Sequence, residues 1–221
     1  MQTVQTNYQA AQAVNINQML RKTYALLSGT LLFSAITCLF AMGTNARPMN
    51  GFVFIIGYFA LLFATSALRK SKLGIICVFA LTGFMGYFLG PVINFYLGAY
   101  ANGGQLVLTS LGGTGVIFLA LSAYTLITRK DFNYLAGFLF AGIIAVFLLV
   151  IMGFFFQSPA LNFVISAVFM LLCSGLILFH TSQIVHGRET SAIMATVAIY
   201  VALFNLFLSL LNILSSFSGR N

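Results

Sequence analysis

A chain of 221 residues that is 61% hydrophobic and only 5% charged, with a mean hydropathy of +1.04, has more apolar surface than a soluble core of its size can hide, which makes it a polytopic membrane protein. A net charge of +8 would suggest nucleic acid in a soluble domain. Here the ten cations are scattered in ones to threes between apolar runs, where they set orientation in a membrane, so no nucleic-acid partner is expected and the partner of first rank is the lipid bilayer.

Residues 1–20 are polar, uncharged and rich in Gln and Asn, and form either a mobile tail or a short interfacial helix around Gln9 to Leu20. Residues 21–221 are expected to form a single transmembrane domain. Its first span is 25–42, following Arg21 and Lys22, a positive pair whose apolar run is too long for a signal-peptide core and lacks an A-x-A site, so this span acts as an uncleaved targeting signal. The second, 52–68, ends at Arg69, Lys70 and Lys72. The third, 73–97, carries Gly83, Gly86, Gly90 and then Pro91, where a continuing helix loses the hydrogen bond to the Tyr87 carbonyl. Such a run suggests either a kinked helix lining a cavity or hinge, or close packing through the Gly86-x-x-x-Gly90 spacing. The fourth span is 106–126, closed by Arg129, Lys130 and Asp131; the fifth is 135–156; a turn at Gln157, Ser158 and Pro159 leads to the sixth, 160–179. The polar stretch His180 to Thr190 is a loop or an extension of the sixth helix.

The last span, 193–217, organises the rest. At 100° per residue Asn205, Ser209, Asn212 and Ser216 share a face that Ala198 and Ala202 continue, while Thr196 and Tyr200 point the other way. A side-chain amide without a partner costs several kcal/mol in hydrocarbon, so a helix polar on opposing sides belongs inside protein. The expected fold is an all-α, seven-transmembrane-helix bundle with the last helix central.

With the N-terminus inside, eight cations (Arg21, Lys22, Arg69, Lys70, Lys72, Arg129, Lys130, Arg188) lie on the cytoplasmic side, against Arg47 and Arg220 outside. Seven spans then place the C-terminus outside, whereas a re-entrant last segment would return it inside. The two carboxylates, Asp131 and Glu189, fall in loops, and HExxH, GxSxG and phosphate-cradling glycine motifs are absent from the sequence, so no catalytic residue, metal site or cofactor is expected. Cys38, Cys77 and Cys173 occupy separate apolar runs without CxxC spacing and are expected to be buried hydrophobes. His180 and His186, six apart, are expected as solvated or interfacial side chains.

The run Thr82 to Pro91 (TGFMGYFLGP), the block Leu178-Phe179-His180-Thr181-Ser182, the following Ile184-Val185-His186-Gly187, and Tyr200 through Asn205 to Leu211 together resemble the Bax inhibitor family of membrane proteins, in particular its bacterial YccA-type branch. The resemblance covers about Arg21 to Ser216. It implies a seven-helix fold with the last helix enclosed by the others. For the YccA-type branch it implies a multi-pass protein of the bacterial inner membrane that binds and restrains the membrane-anchored protease FtsH without being an enzyme. For other members it implies a pH-sensitive calcium or cation leak, which is the alternative function. Leak-type members carry an aspartate where this chain has His180, a second where it has Ala202, three residues before the matching Asn205, and an arginine in the second span, which this chain lacks. The candidate functional or packing residues are Gly83, Gly86, Gly90, Pro91, His180, Tyr200, Ala202, Asn205, Ser209 and Asn212.

Overall fold

A computed structural model of the chain describes residues 2–155 and 158–218, with side chains at 14–153 and 158–218. Among these residues there are seven α-helices and no strand: α1 (Gln2–Gly43), α2 (Gly51–Ala67), α3 (Leu73–Ala99), α4 (Gly103–Thr128), α5 (Leu135–Phe155), α6 (Pro159–Val185) and α7 (Ala192–Phe217). Six are long and apolar enough to cross a membrane; α2 is shorter. At 1.5 Å per residue, its 17 residues rise about 25 Å, the lower limit for a span. The chain is thus a helical membrane bundle. The expected end of the fifth span at Phe156, the turn residue Gln157, and Arg220 at the C-terminus lie outside the described residues.

Element limits follow local chemistry. The polar segment before Arg21 is helical from Gln2 onward and continuous with the first span. Once the apolar stretch of α1 is helical, each upstream Ala or Gln adds to an existing helix without a new nucleation cost. Asn50 caps α2, its side-chain oxygen accepting the Phe52 N–H at 2.9 Å. The polar block His180 to Val185 extends α6 rather than forming a loop. Gly187 at φ +67° then turns the chain in the left-handed region that favours glycine.

Packing divides the chain into two compact units: the residues up to Val92 with Gln183–Tyr200, and Ile93–Ser182 with the residues from Val201 onward. In the first, α3 lies against α1 along a glycine seam. A methyl group on Gly83 would meet the Phe33 ring, one on Gly86 would overlap the Ser34 carbonyl oxygen and the Thr37 hydroxyl, and one on Gly90 would meet the Ala41 methyl. These glycines serve close backbone approach, and α3 remains helical through the buried Pro91. Gly57 of α2 similarly seats the Phe84 ring, and Phe54 stacks on Phe88 with centroids 3.9 Å apart.

In the second unit α5 and α6 interlock. Leu172 occupies the space over Gly142, and Leu139 the space over Gly175, around a core of Leu139, Val146 and Leu172. The outward faces are apolar, with Phe52, Phe63, Phe138 and Phe147 all more than half exposed; in a membrane these are lipid contacts. The α4–α5 connection is pinned from α6: Ser182 Oγ accepts the Phe132 N–H at 3.0 Å and donates to the Lys130 carbonyl at 3.3 Å.

The glycine seam yields a graded test. Gly86→Ala forces backbone apart and is expected to destabilise the detergent-purified protein by about 1–3 kcal/mol, whereas Gly112→Ala, where nothing stands within 4 Å, is expected to leave the thermal midpoint unchanged or slightly raised. Equal midpoints for the two variants would refute the seam.

Candidate functional site

The last helix carries its polar side chains along a length that is buried or half-buried throughout. No residue from Ala192 to Ser215 is exposed. Over half of its most apolar window is buried, 56%, against 11% for α5. A peripheral helix would leave a stripe about 100° wide to lipid, so α7 is an interior helix, as the distribution of its polar groups predicts.

In the first unit its polar contacts reach α1 and α3. Tyr200, 2% exposed, lies with its hydroxyl 2.6 Å from Ser34 Oγ of α1 and donates to the Thr82 carbonyl of α3 at 3.2 Å. The Ser34 hydroxyl then serves as donor to Tyr200, so each proton has one acceptor. One turn earlier, Thr196 Oγ1 lies 3.3 Å from the Thr23 carbonyl of α1 and 2.7 Å from the Ala192 carbonyl of its own helix. Gly86 and Tyr200 therefore meet at the same serine, one against its carbonyl and the other against its hydroxyl. Gly83, Gly86, Gly90 and Tyr200 are brought together as one α1–α3–α7 junction. Pro91 is buried one residue beyond Gly90.

The remaining expected residues belong to the second unit. Ala202 is 1% exposed and Ser209 is buried. Asn205 donates back to the Val201 carbonyl of its own helix at 2.8 Å, which satisfies one of its amide N–H groups without a neighbouring helix. Asn212 donates to Ser166 Oγ of α6 at 2.9 Å. His180 sits within α6, half-buried and edge-on to Phe179 with centroids 5.3 Å apart, rather than in a solvated loop. Thr181 beside it is fully buried, and its hydroxyl has no hydrogen-bond partner among the described residues.

Hydroxyls and amides of this kind orient helices. Ser34 and Ser166, whose hydroxyls complete these contacts, are single hydroxyl residues inside apolar or mixed runs. Only the need of Tyr200 and Asn212 for buried partners signals them, and that need does not say which helix supplies the partner.

The sequence profile of the family described as inhibitor of apoptosis-promoting Bax1 matches residues 16–219. The chain is 45% identical over 219 residues, 99% of its length and 98% of the relative's, to an Escherichia coli protein named modulator of FtsH protease YccA. The equivalent protein of a second Escherichia coli strain, equally similar, is named inner membrane protein YccA. A Vibrio cholerae protein named uncharacterized membrane protein is 42% identical over 207 residues, 93% of this chain and 92% of its own.

Tyr200→Phe is expected to destabilise the protein by about 1–2 kcal/mol, and Ser34→Ala by a similar amount, with the double variant costing clearly less than the sum because the two hydroxyls share one bond. Thermal or denaturant unfolding of the four proteins in one detergent measures that coupling. Strict additivity would mean that the contact contributes nothing.

Proposed function

The chain belongs to the Bax inhibitor family, and from that membership we propose that it acts in a bacterial inner membrane as a non-enzymatic modulator that binds and restrains the membrane-anchored protease FtsH. The observation that carries this reading is the end-to-end similarity to the relative named modulator of FtsH protease. The molecule's chemistry agrees: a bundle with hydroxyl and amide contacts at its junctions and lipid-facing apolar helices is suited to lateral contact with another membrane protein. The N-terminus is cytoplasmic and the C-terminus periplasmic in this reading, following the eight-to-two distribution of cations.

The leak function of other members has less support. Where those proteins have two aspartates, this chain has His180 and Ala202, and neutral amides and hydroxyls compensate poorly for the dehydration of a calcium ion, which takes several hard oxygen ligands. The residues with the strongest claim to a role in modulation are Gly83, Gly86, Gly90, Pro91 and Tyr200, which fix the α1–α3–α7 junction, together with Asn205, Ser209 and Asn212 on the lower half of α7.

Crosslinking in intact membranes followed by purification is expected to recover FtsH with this protein; its absence from crosslinked material that contains other neighbours would defeat the proposal. Segment 2–16, uncharged, helical and on the protease's side of the membrane in this orientation, offers the protease a terminal handle. Its deletion is expected to prolong the protein's lifetime only in cells that contain FtsH. Purified protein in liposomes is expected to pass no appreciable calcium, and a robust pH-dependent flux would favour the leak instead.

A further inference from the structure

Three helix ends of the first unit and the polar stretch of α1 meet around a cavity of about 810 Å³. Lys22 lies just before the apolar stretch of α1, Arg69 and Lys70 just after α2, Ile184 in the last turn of α6, and Ser191 and Ile193 at the start of α7; all line the cavity. Its volume falls within the range of about 300–1,000 Å³ typical of small-molecule sites. Because apolar spans begin or end at each of these residues, the cavity sits at the level of the lipid headgroups, whichever way the protein is oriented.

Its charge is lopsided. Three cations, Lys22, Arg69 and Lys70, share the lining with a single carboxylate, Glu189. That carboxylate is engaged, since its Oε1 accepts the Ser191 N–H at 2.8 Å, while Ser191 Oγ in turn accepts the Met194 N–H at 3.3 Å to cap α7. The capped start of α7 adds the positive end of a helix dipole to the same wall. Gly187, in the left-handed conformation with Ile16 of α1 packed beside it, closes another side. Lys22, Arg69 and Lys70, all exposed at the mouth of one membrane-level cavity, repel one another, and an anion bound among them relieves that repulsion. The group available at that depth with matching charge and acceptor geometry is a phosphate.

We propose that this cavity binds a phosphate-bearing anion, held by Lys22, Arg69 and Lys70 at headgroup level. Two sources carry that chemistry, the headgroup of an anionic phospholipid and free phosphate. The full-length protein in detergent is titrated separately with short-chain phosphatidylglycerol, short-chain phosphatidylcholine and inorganic phosphate, and bound ligand is counted by native mass spectrometry. Phosphatidylglycerol is expected to bind more tightly than phosphatidylcholine, with about a fivefold loss for each of K22Q, R69Q and K70Q and about a hundredfold loss for the triple variant. Arg129→Gln, outside the cavity, should change nothing. Glu189→Gln, which keeps an acceptor for Ser191 and removes the only negative charge, should strengthen binding.

If inorganic phosphate binds with the same variant pattern and displaces the lipid, the source is free phosphate; if only the lipid binds, it is the headgroup. Binding of neither, or a triple variant that binds as the parent does, overturns the proposal. Should the triple variant lose its fold in thermal unfolding, Glu189→Gln decides alone: weaker or unchanged binding there is the overturning result.

Discussion

A hydroxyl buried in a membrane protein has no water to fall back on, and the arrangement of the first unit depends on how Tyr200 meets that constraint. Its oxygen is placed within reach of Ser34 on α1 and of the Thr82 carbonyl on α3. Both contacts require α1 and α3 to be closer than side chains on both helices would allow. The glycines at 83, 86 and 90 remove that obstruction on α3. The phenol bonds and the glycine seam are therefore two halves of one solution: without the seam the hydroxyl could not reach both helices, and without the hydroxyl the seam would rely on dispersion contacts alone.

The same constraint is met differently along the rest of α7. Asn205 turns its amide back onto its own helix, whereas Asn212 crosses to Ser166 on α6. A back-bonded amide restricts only itself, while a cross-helix amide fixes the rotation of two helices relative to each other. Polar residues four or seven apart on one face can thus have quite different structural weight, and the helical wheel does not separate them.

That limit marks how far the sequence could be followed. The interior position of α7 was legible because Tyr200 and Asn205 lie on different sides of one apolar helix, and hydrocarbon admits neither alone. The seven helices were legible from apolar runs bounded by cations and Gly or Pro. Pro91 left a choice between kink and packing; the seam against α1 and the unbroken helix favour packing for the glycines, since their neighbours come from a helix about fifty residues away in sequence and no local pattern names them. The extension of α6 through His180 to Val185 was ambiguous because a polar block is equally at home in a loop or in a helix end. Its helix persists because Thr181, Ser182 and Ile184 are all buried, and Ser182 has the α4–α5 connection to hold. Ser34 and Ser166 could not be singled out, since serine is common in membrane helices and only its spatial neighbour gives it significance.

The brevity of α2 has a consequence for the membrane itself. Its 17 residues present an apolar column of about 25 Å to a hydrocarbon layer about 30 Å thick, with the exposed cations Arg47 and Arg69 standing just beyond its two ends. Lipids bordering that face must shorten their chains or yield their headgroups inward toward the two guanidinium groups, at a fraction of a kcal/mol for each ångström of mismatch. The flank that α2 presents is thus the one where the bilayer has to adapt to the protein, by local thinning, by the reach of the two flanking arginines, or by contact with another membrane protein.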